Sequence, residues 1–165
     1  MSLLRRARAD DAVRLAALAQ WVWLDSYATD GVESRFLPYM AASFTPAEFE
    51  RLIADPRQAV WLLEEGPALQ GFAQLRRSVP APVQTASSIE LERLYVAPPC
   101  TGRRLGPQLL RAARETWPGE ALWLSVWVGN DGAQRFYARE GGQDIGHTDF
   151  MLDGQPISNR VIAFP

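Results

Sequence analysis

The chain has 165 residues, 47% of them hydrophobic and 22% charged, a size and balance that suit one domain spanning residues 1–165 and exclude a disordered tail or a fibrous repeat. With 19 acidic against 17 basic residues the formal net charge is -2, which provides no general field for gripping nucleic acid. Every basic residue is an arginine, and Cys100 and His147 stand alone in their kinds, so lysine Schiff bases, an internal disulfide and the usual Cys/His zinc sets are all excluded and no metal site is expected. No apolar run approaches the roughly 20 residues that cross a bilayer, and Met1 to Arg6 lacks a secretory apolar core. The expectation is a cytoplasmic protein with neither membrane nor nucleic-acid partner.

Leu3 to Arg8 reads as a first strand, and Asp10-Asp11 as the start of a helix that carries Leu15, Leu18 and Val22 on one stripe and runs to about Asp25. From Trp21 to Phe44 the chain is rich in aromatic residues and broken by Asp30-Gly31 and Pro38, which predicts helical pieces joined by loops. Thr45-Pro46 with Glu48 has the cap residue, first-turn proline and acid of a helix start, and Asp55-Pro56 ends that helix. Ala59–Glu64 and Leu69–Leu75, joined through Glu65-Gly66-Pro67, predict an antiparallel hairpin. After a Pro/Ser/Ala loop over residues 78–87, a strand over Ile89–Val96 leads through Ala97-Pro98-Pro99 into a glycine- and arginine-containing turn and a helix with Leu105, Leu109 and Ala112 on one face. Trp117-Pro118-Gly119 stops it. Ala121 to Val128 is apolar on both alternating faces, as a covered central strand requires; Asn130-Asp131 opens another helix, and two closing strands flank Asp153-Gly154. This order argues for a mixed sheet with helices packed on it, of class α/β.

The turn Thr101-Gly102-Arg103-Arg104-Leu105-Gly106-Pro107 is the strongest chemical feature. A strand that ends in a tight glycine turn and feeds a helix start aims several free N–H groups, and the positive end of the helix dipole, at one spot. That is a cradle for a diphosphate, to which Arg103 and Arg104 can add charge-assisted bonds. Gly102 and Gly106 alone are equally compatible with a plain strand-to-helix connection. Together with Ile89-Glu90-Leu91-Glu92-Arg93-Leu94-Tyr95-Val96, with Trp123-Leu124-Ser125-Val126-Trp127, and with Asn130, Ala133 and Phe136-Tyr137 four residues before Gly141, the turn resembles the GNAT superfamily of N-acetyltransferases. The likeness is closest to its branch of small bacterial PaiA-like, polyamine-type enzymes. It implies a mostly antiparallel central sheet with one parallel pair and flanking helices.

The resemblance implies acetyl coenzyme A as co-substrate and an amine acceptor, polyamine-like or a peptide. Leu94, Tyr95 and Val96 would run beside the pantetheine arm, Thr101, Gly102, Arg103, Arg104, Leu105, Gly106 and Pro107 would hold the diphosphate, and Asn130 would contact the cofactor from its loop, unless it is simply a helix cap. Two positions depart from the family pattern: Thr101 stands for a longer Arg or Gln, and Arg104 fills a glycine slot, which a right-handed backbone tolerates and a left-handed one strains. Gly142 also replaces the aromatic residue that usually follows Gly141.

Acyl transfer to an amine needs a base, donors for the carbonyl oxygen and an acid for the leaving thiolate. Glu90 and Glu92, two apart on a strand, share one face and are both candidate bases; Leu94 would offer its backbone N–H to the oxygen; Tyr137 would protonate the thiolate, or else pack beside Phe136. Trp23, Tyr27, Glu33 and Phe36 are the candidate acceptor-binding residues, offering aromatic faces and negative charge to a cation. His147 is expected to face water, and Cys100, without a histidine in reach, gives no covalent step, so direct transfer in a ternary complex is expected. The rival reading is a non-catalytic, acetyl-coenzyme-A-binding regulatory module; nothing in the sequence decides between monomer and homodimer.

Overall fold

In the computed structural model, which describes residues 1–165, the elements follow as β1 (Leu3–Arg6), α1 (Ala12–Tyr27), α2 (Leu37–Ser43), α3 (Pro46–Ala54), β2 (Gln58–Glu65), β3 (Ala68–Arg76), β4 (Ile89–Val96), α4 (Leu105–Glu115), β5 (Leu122–Trp127), α5 (Asp131–Arg139), β6 (Gln143–Leu152) and β7 (Gln155–Phe164). The strands form one sheet of order β1-β2-β3-β4-β5-β7-β6, antiparallel throughout except where β4 meets β5. The mixed sheet, its single parallel pair and its flanking helices match the expected class. The first strand is shorter than expected and the first helix continues past Asp25 to Tyr27. No helix is long and apolar enough to cross a membrane.

Strands covered on both faces must be apolar on both. In β2, Val60 and Leu62 join a core with Leu15, Trp23, Phe44, Phe49 and Phe72 beneath α1 and α3, while Ala59 and Leu63 join a second core with Leu75, Leu109, Leu124 and Phe164 beneath α4. The start of α3 forms as its residues dictate: Thr45 Oγ1 accepts the Glu48 N–H at 3.1 Å, and Pro46 occupies the first turn, where no backbone donor is missed.

Asp11 does more than begin a helix. Its buried carboxylate accepts the Arg8 N–H at 2.8 Å, two bonds from Arg5 at 2.8 and 2.9 Å, and one from Arg14 at 2.6 Å. Arg5 and Arg14 also reach Glu64, at 2.7 and 2.9 Å. The cluster therefore ties β1, α1 and β2 together, and chiefly the Arg5 guanidinium holds the Asp11 carboxyl far below the ordinary aspartate range.

Two features of β4 set up everything that follows. Its parallel register with β5 holds only for Ile89 with Leu122 and Glu90 with Trp123, after which the strands separate. Against β3, Gln74 pairs with Arg93 and Leu75 with Leu91, so Glu92 is the extra residue of a bulge. Beyond the bulge β4 is pressed close to β3: a Cβ on Gly71 would lie 2.8 Å from the Tyr95 carbonyl oxygen, a backbone atom that cannot swing aside.

Replacing Asp11 by Asn keeps the shape and removes the charge. We expect Asp11→Asn to lose about 2 kcal/mol at pH 7, the range for hydrogen bonds to charged groups. Because the folded Asp11 carboxyl titrates below its unfolded value, its stabilisation is complete above about pH 3.9 and disappears as pH falls below it. Urea unfolding at pH 7 and at pH 3 should show the gap between wild type and variant narrowing.

Candidate active site

Where β4 leaves β5 it exposes a run of backbone. The Ala97 N–H donates to the Gln70 carbonyl at 2.8 Å, which fixes the alternation of the ladder: Tyr95 and Arg93 turn their peptide groups to β3, and Leu94 and Val96 turn theirs to the gap. Two cavities open there, of about 440 and about 450 Å³. One lies between the separated strands and α1; the other runs past the turn before α4. Leu94, Ala133 and Tyr137 line both, so these residues form the wall at which the two spaces meet.

The second cavity is lined by Leu94, Val96, Thr101, Gly102, Arg104, Leu105, Gly106 and Pro107. The N–H groups of Gly102, Arg103 and Arg104 take part in none of the backbone bonds of the turns and loops, and α4 has no side-chain cap. Together with the first-turn N–H groups of Leu105 and Gly106, which have no partner within the helix, they are donors left over at the positive end of the helix dipole. A Cβ on Gly106 would stand 3.2 Å from the Phe136 ring, so a side chain there would require that ring to give way by a few tenths of an ångström. Arg104, however, is left-handed, with φ 60° and ψ 26°, so the permissive right-handed alternative does not hold and the arginine is strained in its glycine slot by about 1–2 kcal/mol. Its side chain is exposed and unpaired, whereas Arg103 is bound to Glu65 at 3.0 Å and does not line the cavity. Thr101 Oγ1 donates to the Pro98 carbonyl at 2.9 Å, so it does not substitute for a longer polar side chain. Arg139, which sequence reasoning passed over, also lines this cavity.

The first cavity holds a chain of charges. Arg76 bonds Glu90 through both Nε, at 2.9 Å, and Nη2, and its Nε lies 3.2 Å from Glu92. Glu92 in turn accepts from Gln74 Nε2 at 2.9 Å and lies 3.5 Å from Arg93 Nη2. Both glutamates thus reach the same face and share a guanidinium. They differ in what remains: Glu92 has contacts on both oxygens, while only Oε2 of Glu90 is engaged. Burial pushes the Glu90 carboxyl above the ordinary glutamate value, more than the neighbouring Arg76 lowers it.

Of the residues expected to bind an acceptor, Trp23 and Tyr27 line this cavity, with ring centroids 4.8 Å apart and planes tilted by 35°. Burial pushes the Tyr27 hydroxyl up to about 12. Glu33 and Phe36 are not brought there: Glu33 pairs with Arg35 at 2.8 Å, and Phe36 is buried edge-on against Trp23 in the core. Tyr95, expected beside the cofactor, points its ring the other way, onto Phe72 and into the first cavity. Asn130 caps α5 by accepting the Ala133 N–H at 3.1 Å and lines the first cavity, not the second. Tyr137 packs beside Phe136 with centroids 5.1 Å apart, and its hydroxyl has no partner in the chain; burial raises its pKa, so it remains a donor at neutral pH. His147 is exposed on β6. Arg76, Arg93, Tyr39, Phe150 and Asn159 line the cavity without having been anticipated; no local signal marks them, since Arg76, Arg93 and Asn159 each stand beside another polar residue.

Compared with known proteins, residues 15–142 match the model of the Acetyltransferase (GNAT) family. An uncharacterized N-acetyltransferase of Mycobacterium tuberculosis is 28% identical over 156 residues, covering 93% of this chain and 96% of the relative. Among solved structures, the PaiA N-acetyltransferase from Thermoplasma acidophilum in complex with coenzyme A superposes with a TM-score of 0.73 at 20% identity, over 97% of this chain and 98% of that one. Arabidopsis thaliana NAA60 in complex with acetyl-CoA does so with a TM-score of 0.71 at 15% identity, over 99% and 98%. At these identities the structural likeness is one of fold, and it does not single out the polyamine branch.

The left-handed Arg104 yields a direct test. Arg104→Gly should raise stability by up to about 1 kcal/mol, since the relief of backbone strain exceeds the added freedom of the unfolded chain; the urea midpoint measures it.

Proposed function

The chain belongs to the GNAT family of acetyltransferases and is an acetyl-coenzyme-A-dependent N-acetyltransferase; we propose that it transfers the acetyl group directly to an amine of a small molecule or peptide while both substrates are bound. The observation that carries this reading is the coincidence of unspent N–H groups at residues 102–104 with the opened edge of β4 at Leu94 and Val96. Acetyl coenzyme A supplies an activated thioester. Gly102, Arg103, Arg104, Leu105 and Gly106 would hold its diphosphate through backbone donors, with the Arg104 side chain adding charge, and Leu94 and Val96 would bond the pantetheine arm as an added strand. Pro107 shapes the helix start and contributes no donor.

At the shared wall each reacting atom has a protein group suited to it. The Leu94 N–H, turned to the gap, would polarise the thioester oxygen. Glu90, with Oε1 unengaged and its pKa raised by burial, would take the proton of the acceptor ammonium; Glu92, fixed by Gln74, Arg76 and Arg93, would hold Arg76 in place. The nitrogen then forms the new C–N bond as the C–S bond breaks, Tyr137 would give its hydroxyl proton to the departing sulfur, and the second proton shed by the nitrogen would restore the Tyr137 hydroxyl.

Three variants test these assignments. Tyr137→Phe should lower kcat by about 100-fold, the lower end of the range for general acids, with little change in acetyl coenzyme A affinity by titration calorimetry. Glu90 must be ionised to act, so kcat/KM should fall as pH drops through its raised pKa, and Glu90→Gln should abolish most turnover together with that acidic limb. Glu92→Gln should lose less. Binding of acetyl coenzyme A without thiol release across an amine panel would instead identify a regulatory module.

A further inference from the structure

The acceptor cavity contains more recognition chemistry than an amine alone can use. Arg93 is its centre: the side chain is 6% exposed, lines the cavity and lies over the Phe44 ring at 5.1 Å. A guanidinium carries five N–H donors. Here Nη1 donates to Gln74 Oε1, Nη2 lies 3.5 Å from Glu92, and the Tyr39 hydroxyl stands near enough to help hold the guanidinium charged, which leaves donors over. Nε donates no hydrogen bond within the chain, and the residue lines the cavity. Leaving donors of a buried cation unbonded is costly, and such a group is a natural receptor for an anion.

Charge balance points the same way. The ionisable acids and bases lining the cavity, apart from its tyrosines, are Arg76, Arg93, Glu90 and Glu92, two of each sign, linked by contacts. A polyamine gains most from carboxylates in excess, and neither glutamate here is without an arginine. A molecule carrying one positive and one negative group meets a complementary partner at each end: Oε1 of Glu90 for the ammonium, the free edge of Arg93 for the anion. Trp23, Tyr39 and Trp127 give the space between an aromatic wall.

We propose that the acceptor is a zwitterionic aminocarboxylate, a free amino acid or short peptide with an aromatic or large apolar side chain, whose carboxylate is bound by Arg93. This rests on the acetyltransferase reading and names its acceptor class.

The test measures thiol release from acetyl coenzyme A by the wild-type protein with phenylalanine, the dipeptide glycyl-phenylalanine, the carboxamide of each, and spermidine. The expected result is a KM at least ten-fold lower for one of the acids than for its carboxamide, and a lower kcat/KM for spermidine than for that acid. The better of the two acids distinguishes free amino acid from peptide. In Arg93→Met the preference for acid over carboxamide should shrink to within about two-fold, and Arg93→Lys, which keeps the charge, should restore part of it. Retained acetyl coenzyme A binding identifies a folded variant; if Arg93→Met does not fold, the wild-type comparison decides alone. Equal KM values for acid and carboxamide, or spermidine as the best acceptor, overturn the proposal and leave the enzyme reading intact. No thiol release with any of the five amines overturns it too, and adding bound acetyl coenzyme A to that result extends the failure to the enzyme reading.

Discussion

The separation of β4 from β5 after two paired residues is the constraint on which the rest of the molecule depends. An unpaired strand edge inside a sheet is ordinarily a liability, because its peptide groups have no partners. Here β4 stays on β3, held by the close approach at Gly71, while β5 leaves with β7 across six paired positions. The seam that results divides the space between them, with Leu94, Ala133 and Tyr137 at the crossing. The bulge at Glu92 works in the same direction: by adding a residue to β4 it keeps Leu91 and Leu94 on the α4 core and leaves Glu92 and Arg93 together on the cavity side.

Around this seam the unmet demands of the fold accumulate. Arg104 is left-handed, α4 is uncapped, Arg93 has idle donors and Asn159 Oδ1 has no partner. Strain and unsatisfied polar groups gather where a ligand supplies what the chain does not. Elsewhere the bonding is saturated, as at Asp11, where three arginines contribute side-chain or backbone donors to one carboxylate. Rigid, well-bonded framework and underbonded cleft are two parts of one arrangement.

Much of the fold is legible because local and long-range preferences agree. The span Ile89–Val96, the hairpin of β2 and β3, and the capped start of α3 each follow from patterns that tertiary packing reinforces. The lining of the cavities is legible where backbone chemistry carries it, at the glycine turn, and where a side chain repeats a familiar spacing, as Glu90, Glu92 and Tyr137 do. It is less so where local composition misleads. Glu33 has acid and aromatic neighbours that suggest a binding surface, but Arg35 lies two residues on and takes its charge. Arg93 and Asn159 stand among other polar residues of their strands, and only the bulge and the cross-sheet register reveal that these two face a common space. Even the sign of φ at Arg104 escapes a sequence reading, since arginine prefers the other region.

The long edge hairpin of β6 and β7 contributes Phe150 and Asn159 to the first cavity and nothing to the second, with Phe150 meeting Tyr39 edge-on at 5.2 Å. On the proposed function, the compartment for the nucleophile would be roofed by a peripheral ribbon, whereas the handle of the acyl donor would be gripped by the interior of the chain. Such a division lets evolution, or an engineer, refashion the ribbon to admit a different guest without disturbing the part that delivers the payload.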